Sequence, residues 1–210
     1  MKRYEHNDKK WLFPFVEYSP AEKKEHLPII IQLHGAGERG AGGEDLYKVD
    51  IHGFSDYLSG AEKDCIVIMP QCPTDTFWAA RIESVIKFIG QVVEEYKADS
   101  DRVYLTGLSM GGYGTWYPAM ARPDLFAAIA PVCGGGMAWN ADVLTMPVWA
   151  FHGTADNVVS TVQSDEMIEK LKEFNQDVTY TRMEGVEHNA WDYTYDDELF
   201  DWLLSKKKSV

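Results

Sequence analysis

The sequence predicts an α/β fold, a mostly parallel central sheet with helices on both faces, on three observations. Short β-branched runs alternate with longer amphipathic segments, as parallel strands joined by crossover helices require. Several of the short runs are apolar throughout, which is what a strand covered on both faces looks like. No repeat, low-complexity tract or linker interrupts the series, so the 210 residues read as one domain spanning 1–210.

The elements follow in order. An edge strand is expected around 12–18, then strands at 29–33, 65–69, 103–106, 127–132, 148–151 and 178–183. Between the third and fourth, 82–96 sets Ile82, Val85, Ile86, Ile89, Val92 and Val93 at helical spacing, and 163–174 does the same with Met167, Ile168, Leu171 and Phe174. A last helix at 197–206 carries Leu199, Phe200, Leu203 and Leu204 on one side.

Composition narrows the function classes. With 45% hydrophobic and 25% charged residues the chain can build a core. A net charge of −13 repels phosphate backbones and anionic lipid, so neither nucleic acid nor a membrane is an expected partner. The only basic cluster, Lys206, Lys207 and Lys208, reads as a solvated helix end. Cys65, Cys72 and Cys133 cannot all pair and lack zinc-site spacing, so no metal is expected and a reducing compartment fits. The start MKRYEHNDKKW has no apolar signal-peptide core, and the expectation is a soluble, cytoplasmic protein.

The strongest local signal is VYLTGLSMGGY at 103–113, a short strand, then GLSMG, then a helix-capable stretch. This is the GxSxG nucleophile elbow in its required context. A serine in a tight strand-to-helix turn needs glycines such as Gly107 and Gly111, where backbones approach closely. The competing account of Ser109 is a plain helix N-cap.

A serine nucleophile needs a base, and the chain order Ser, then Asp or Glu, then His points to His188 in the loop GVEHN. His152 also follows Ser109 but closes a strand in FHGTAD, and like His34 it reads as a histidine satisfying nearby backbone. The acid expected is Asp156, which follows a strand by a short loop and so lies at the same carboxyl edge as Ser109. Glu184 and Glu187 are rivals, though one loop would then supply both acid and base. Upstream, IIIQLHGAGERG runs a buried strand into a glycine-rich loop, a source of exposed backbone N–H. The N–H of Ala36 with that of Met110 would make an oxyanion hole. GxxxxGK[ST] is absent, which disfavours a P-loop phosphate site.

Together HGAGERG, PQCP with Trp78 after it, GLSMGG, HGTADNVV and GVEHNAW resemble the small esterases of the α/β-hydrolase superfamily, over about 28–204. The group is that of carboxylesterases, feruloyl esterases and polyhydroxybutyrate depolymerases, including members described as predicted peptidases. The resemblance implies an α/β-hydrolase fold, the triad Ser109, Asp156 and His188, and Ala36 with Met110 as the oxyanion-hole positions. It also implies hydrolysis of a small-molecule or saccharide-linked ester through an acyl-enzyme, with no cofactor. Pro118 departs from an ordinary nucleophile helix and should kink or end it. The segment 133–146, CGGGMAWNADVLTM, is too short for a cap domain, so an open cleft is expected, edged by Trp78, Trp139 and Trp191. Each of these is equally readable as core. The rival functions are a peptidase or thioesterase using the same triad, and a non-catalytic binding protein on this fold.

Overall fold

A computed structural model of the chain describes residues 1–22, 24–59 and 61–208. One eight-stranded sheet runs in the order β1-β2-β4-β3-β5-β6-β7-β8. Its strands are β1 (Lys2–His6), β2 (Phe15–Ser19), β3 (Ile29–Leu33), β4 (Ile66–Pro70), β5 (Val103–Leu108), β6 (Ala128–Val132), β7 (Val148–Gly153) and β8 (Val178–Met183). From β4 through β8 every pairing is parallel, while β1 and β2 add an antiparallel hairpin at one edge.

Strand geometry divides the core into two. Alternate residues face opposite sides, so Ile29, Ile31 and Leu33 pack into one apolar layer and Ile30 into the other. The first layer is closed by α2 (Ile82–Glu95), α3 (Met110–Ala121) and α4 (Val162–Leu171), through Phe88, Trp116 and Ile168 among others. The second is closed by α5 (Asp197–Ser205), by α1 (Ser55–Leu58) and by the preceding 3-10 segment Gly43–Asp50. Among the described residues no helix is long and apolar enough to cross a membrane.

β1, β2 and α3 differ from the sequence reading. The edge strand begins at Phe15 and not at residue 12, and a further strand, β1, precedes it. Pro118 neither ends α3 nor is its last residue: the helix continues to Ala121, where Arg122 N–H closes the turn onto the Pro118 carbonyl. A proline there removes only the bond to Gly114 near a helix end, and its ring is buried against the core. Between β6 and β7 there is only the short 3-10 segment Ala138–Val143, so no cap domain forms among the described residues.

Candidate active site

β5 delivers Ser109 to the carboxyl edge of the sheet, at φ 52° and ψ −115°, directly before α3. A non-glycine residue in this region is strained, and such strain persists only where the surroundings enforce it. Here the Ser109 N–H is held by the Val132 carbonyl at 2.9 Å, and the following turn packs against β3 so closely that a Cβ on Gly111 would lie 1.9 Å from the Leu33 oxygen. Only glycine fits there. Neighbouring strands thus fix a conformation that the serine would not choose.

β7 and β8 supply the other two groups. Asp156 follows β7, and its Oδ1 accepts from the N–H groups of Val158 and Val159 at 2.9 and 2.8 Å. The loop after β8 crosses the end of β7 so tightly that a Cβ on Gly153 would lie 2.2 Å from the Val186 oxygen. That crossing carries His188 to the acid. Its Nδ1–H donates to Asp156 Oδ2 at 2.6 Å, which leaves Nε2 to accept from the Ser109 hydroxyl at 2.8 Å. Burial alone would raise the Asp156 carboxyl, but the hydrogen bonds from His188, Val159 and Val158 outweigh it and hold the group below the usual carboxylate range.

Ala36 opens a short 3-10 segment, Ala36–Glu38, after Gly35, and Met110 opens α3. N–H groups in a first helical turn have no intrahelical acceptor, so both are free to bind an anion. His34 braces this loop from below: Nδ1–H donates to the Gly35 carbonyl at 2.6 Å and Nε2 accepts from Cys72 N–H at 2.9 Å. Burial pushes His34 down to about 4, so it stays neutral in that role. His152 is likewise buried, with Nε2 donating to the Val159 carbonyl at 2.9 Å and Nδ1 2.7 Å from Ser164 Oγ.

The tryptophans separate. Trp191 stands beside His188 with ring centroids 5.1 Å apart. Trp78, in contrast, is fully buried, packs on Phe13 and His34, and donates its indole N–H to the His34 carbonyl, so it underlies the site and edges no cleft. Trp139 is 75% exposed and shares a shallow depression with Glu166, Glu169, Lys170 and Glu173, none of which belongs to the triad. Glu184 and Glu187 are exposed, and His188 turns to Asp156 instead.

Three residues at the site carry no role in the sequence reading. Glu38 and His52 enter from the segment between β3 and β4, which lacks any periodic pattern; the one available signal was the acid inside HGAGERG. Cys133 has its sulfur within 4.8 Å of the ligand atoms of Asp156 and His188. That trio has metal-like spacing, but both ring nitrogens of His188 are already engaged and burial pushes the Cys133 thiol up to about 12. The arrangement suits proton transfer.

Residues 69–197 match the family described as Phospholipase/Carboxylesterase. The chain belongs to that family. It is 28% identical over 169 residues to a bifunctional acetylxylan esterase/xylanase from Neocallimastix patriciarum, covering 74% of this chain and 23% of that one. It is 26% identical over 196 residues to feruloyl esterase B from Talaromyces funiculosus, covering 68% and 53%. The chain therefore spans from about a quarter to about half the length of these curated relatives. A crystallised thermostable esterase is similar at 31% identity and a TM-score of 0.79, over 99% of this chain and 63% of that one. An acetyl xylan esterase from Aspergillus awamori shares the fold, with a TM-score of 0.73 at 16% identity over 96% of this chain and 100% of that one. This member of the phospholipase/carboxylesterase family thus has the α/β-hydrolase fold, with no cap domain among the described residues.

Proposed function

We propose that this chain is a serine carboxylic-ester hydrolase, and the observation that carries the reading is the unbroken path Ser109 Oγ, His188 Nε2, His188 Nδ1, Asp156 Oδ2 at a strained elbow. Ser109 attacks the ester carbonyl while its proton passes to His188 Nε2. The negative charge on the carbonyl oxygen develops toward the N–H groups of Ala36 and Met110. Collapse expels the alcohol, which takes the proton from His188, and an acyl-Ser109 ester remains. Water, deprotonated by the same histidine, then releases the carboxylic acid and restores the serine. Asp156 orients the imidazole and stabilises its charged form throughout.

Short or aryl esters, including feruloyl and saccharide-linked ones, are the proposed substrates. Similarity to an acetylxylan esterase and a feruloyl esterase supports that class, as does the absence of a cap among the described residues. Three unpaired, buried thiols support a cytoplasmic setting. The test is stoichiometric labelling of Ser109 by a fluorophosphonate, together with hydrolysis of p-nitrophenyl acetate compared with the matching anilide and thioester. Labelling with ester turnover is expected. Failure to label would leave a binding protein, and faster anilide cleavage would make it a peptidase.

A further inference from the structure

Glu38 sits in the first turn after Gly35 with its side chain only 8% exposed, and its Oε2 has no hydrogen-bond partner among the described residues. Leaving a carboxyl oxygen buried and unpaired is unfavourable, and Glu38 is not needed to brace its own loop. The bracing is done by other atoms: Gln71 Nε2 donates to the Glu38 carbonyl at 3.0 Å and Arg39 Nε to the Ala36 carbonyl at 2.9 Å. The nearest histidine nitrogens, His34 Nδ1 and His52 Nε2, are each 3.9 Å from the carboxyl, too far for a hydrogen bond. His34 Nδ1–H is in any case given to the Gly35 carbonyl.

The carboxyl lies across Gly35 from Ser109. A Cβ placed on Gly35 would be 3.0 Å from Glu38 Oε2 and 3.7 Å from the Ser109 Cβ, so the two side chains flank one backbone position. On its far side, His52 stacks obliquely on Trp191 with centroids 5.5 Å apart, and Trp191 leads back to His188. The Trp191 indole N–H is also enclosed without a partner among the described residues. Glu38 thus offers an unused acceptor on the Ser109 side of the site and Trp191 an unused donor on the His188 side, and a hydroxyl can donate to the first and accept from the second.

We propose that Glu38 is a specificity residue that accepts a hydrogen bond from a free hydroxyl of the substrate next to the scissile ester, with the Trp191 N–H donating to an oxygen of the same group. The preferred substrates are then partial esters of polyols or sugars that keep a hydroxyl beside the acylated one, in preference to plain alkyl esters. This inference rests on the ester-hydrolase reading.

Two acetates that differ by one hydroxyl test it: the monoacetate of trans-1,2-cyclohexanediol and cyclohexyl acetate. Wild-type kcat/KM is expected to favour the hydroxy ester by about tenfold or more, the scale of one hydrogen bond to a buried charged group. Glu38→Ala should bring that ratio down at least severalfold, and comparison with wild type cancels the intrinsic reactivity of the two esters. Glu38→Gln keeps the shape should the alanine variant fold poorly, and a smaller fall is expected because an amide oxygen is a weaker acceptor. Trp191→Phe, which removes only the donor end, should also lower the ratio. Fluorophosphonate labelling of Ser109 reports the integrity of each variant. A wild-type ratio near one, or an unchanged ratio in both Glu38 variants that label normally, overturns the proposal while leaving the esterase reading intact. Absence of both labelling and acetate turnover in the wild type defeats the two together.

Discussion

At the carboxyl edge of the sheet Ser109, His188 and Asp156 form a chain of two hydrogen bonds, whereas beside β1 and β2 the groups Tyr96, His6 and Glu17 form a star. Both clusters hold a hydroxyl, an imidazole and a buried carboxylate. In the star, His6 Nε2 and the Tyr96 hydroxyl each bond Glu17 Oε2 at 2.7 Å and meet each other only at a longer 3.3 Å, and Ser19 adds a third bond to Oε1 at 2.6 Å. The hydroxyl gives its proton to the acid directly, so no base stands between them. Burial and that bond to Glu17 both push the Tyr96 phenol up, which keeps it protonated. Its backbone is relaxed at φ −87° and ψ −2°, unlike that of Ser109. What separates a relay from a clamp is the order of the three groups, and the strained turn that presents one of them.

The largest expected effects fall on the chain. Ser109→Ala or His188→Ala should lower kcat/KM by roughly 10⁴-fold or more, since members of such a unit fail together. Tyr96→Phe and His6→Ala should stay within about twofold of wild type by the same assay. Loss of turnover in a folded Tyr96→Phe protein would mean that the star also participates in catalysis. Asp156→Asn should cost up to about 10⁴-fold through the wrong histidine tautomer. Glu184→Gln should cost little, and the reverse order of these two would reassign the acid.

The next effect belongs to stability. Glu17→Gln removes a carboxylate with three donors, and the midpoint of urea unfolding should report a loss of about 1–3 kcal/mol, with esterase turnover retained. Its pH dependence has a defined sign. Burial would raise Glu17, but the His6, Ser19 and Tyr96 bonds outweigh it and leave the folded group lowered. A carboxylate lowered on folding stabilises fully above its unfolded value, about 4.3, and that contribution is lost as pH falls through the folded value. Unfolding of the Glu17→Gln protein followed from pH 6 to pH 2 should therefore show a shallower acid decline than wild type. An equal decline would place the acid sensitivity elsewhere, with Asp156 the first alternative.

The contrast also shows what the sequence makes legible. The strands β3 and β8 were readable to the residue because Ile29–Leu33 and Val178–Met183 carry uninterrupted strand-forming runs before and after clear turns. GLSMG, HGTAD and GVEHN were each readable because parallel strands deliver their ends to one edge, and the structure brings Ser109, Asp156 and His188 into contact there. β1 was not readable, since Lys2–His6 is almost wholly exposed and charged, and its pairing with β2 depends on no apolar pattern. Glu38 and His52 were missed for a related reason: they ride on a segment of short helical turns whose placement comes from tertiary packing. Trp78 was misplaced because sequence alone cannot tell an indole beneath a loop from one at its rim.

The smallest expected effect compares backbones directly. At Ser109 a Cβ is held at positive φ, a conformation that costs about 1–3 kcal/mol for a residue other than glycine. Glycine avoids that cost but gives up roughly 0.5–1 kcal/mol to its freer unfolded chain. Ser109→Gly should therefore be more stable than Ser109→Ala by about 1 kcal/mol, and since both lack the nucleophile, activity does not confound the comparison. At Tyr96, whose backbone is right-handed helical, only the entropic term applies, and Tyr96→Gly should be less stable than Tyr96→Ala by about 0.5–1 kcal/mol. Thermal or urea unfolding of the four variants reads both differences. Opposite signs at the two positions are what strain confined to the nucleophile turn requires. The same sign at both would mean that the turn relaxes once its hydroxyl is gone, and that the serine's own hydrogen bond to His188, not the packing of Gly111 against β3, enforces the elbow.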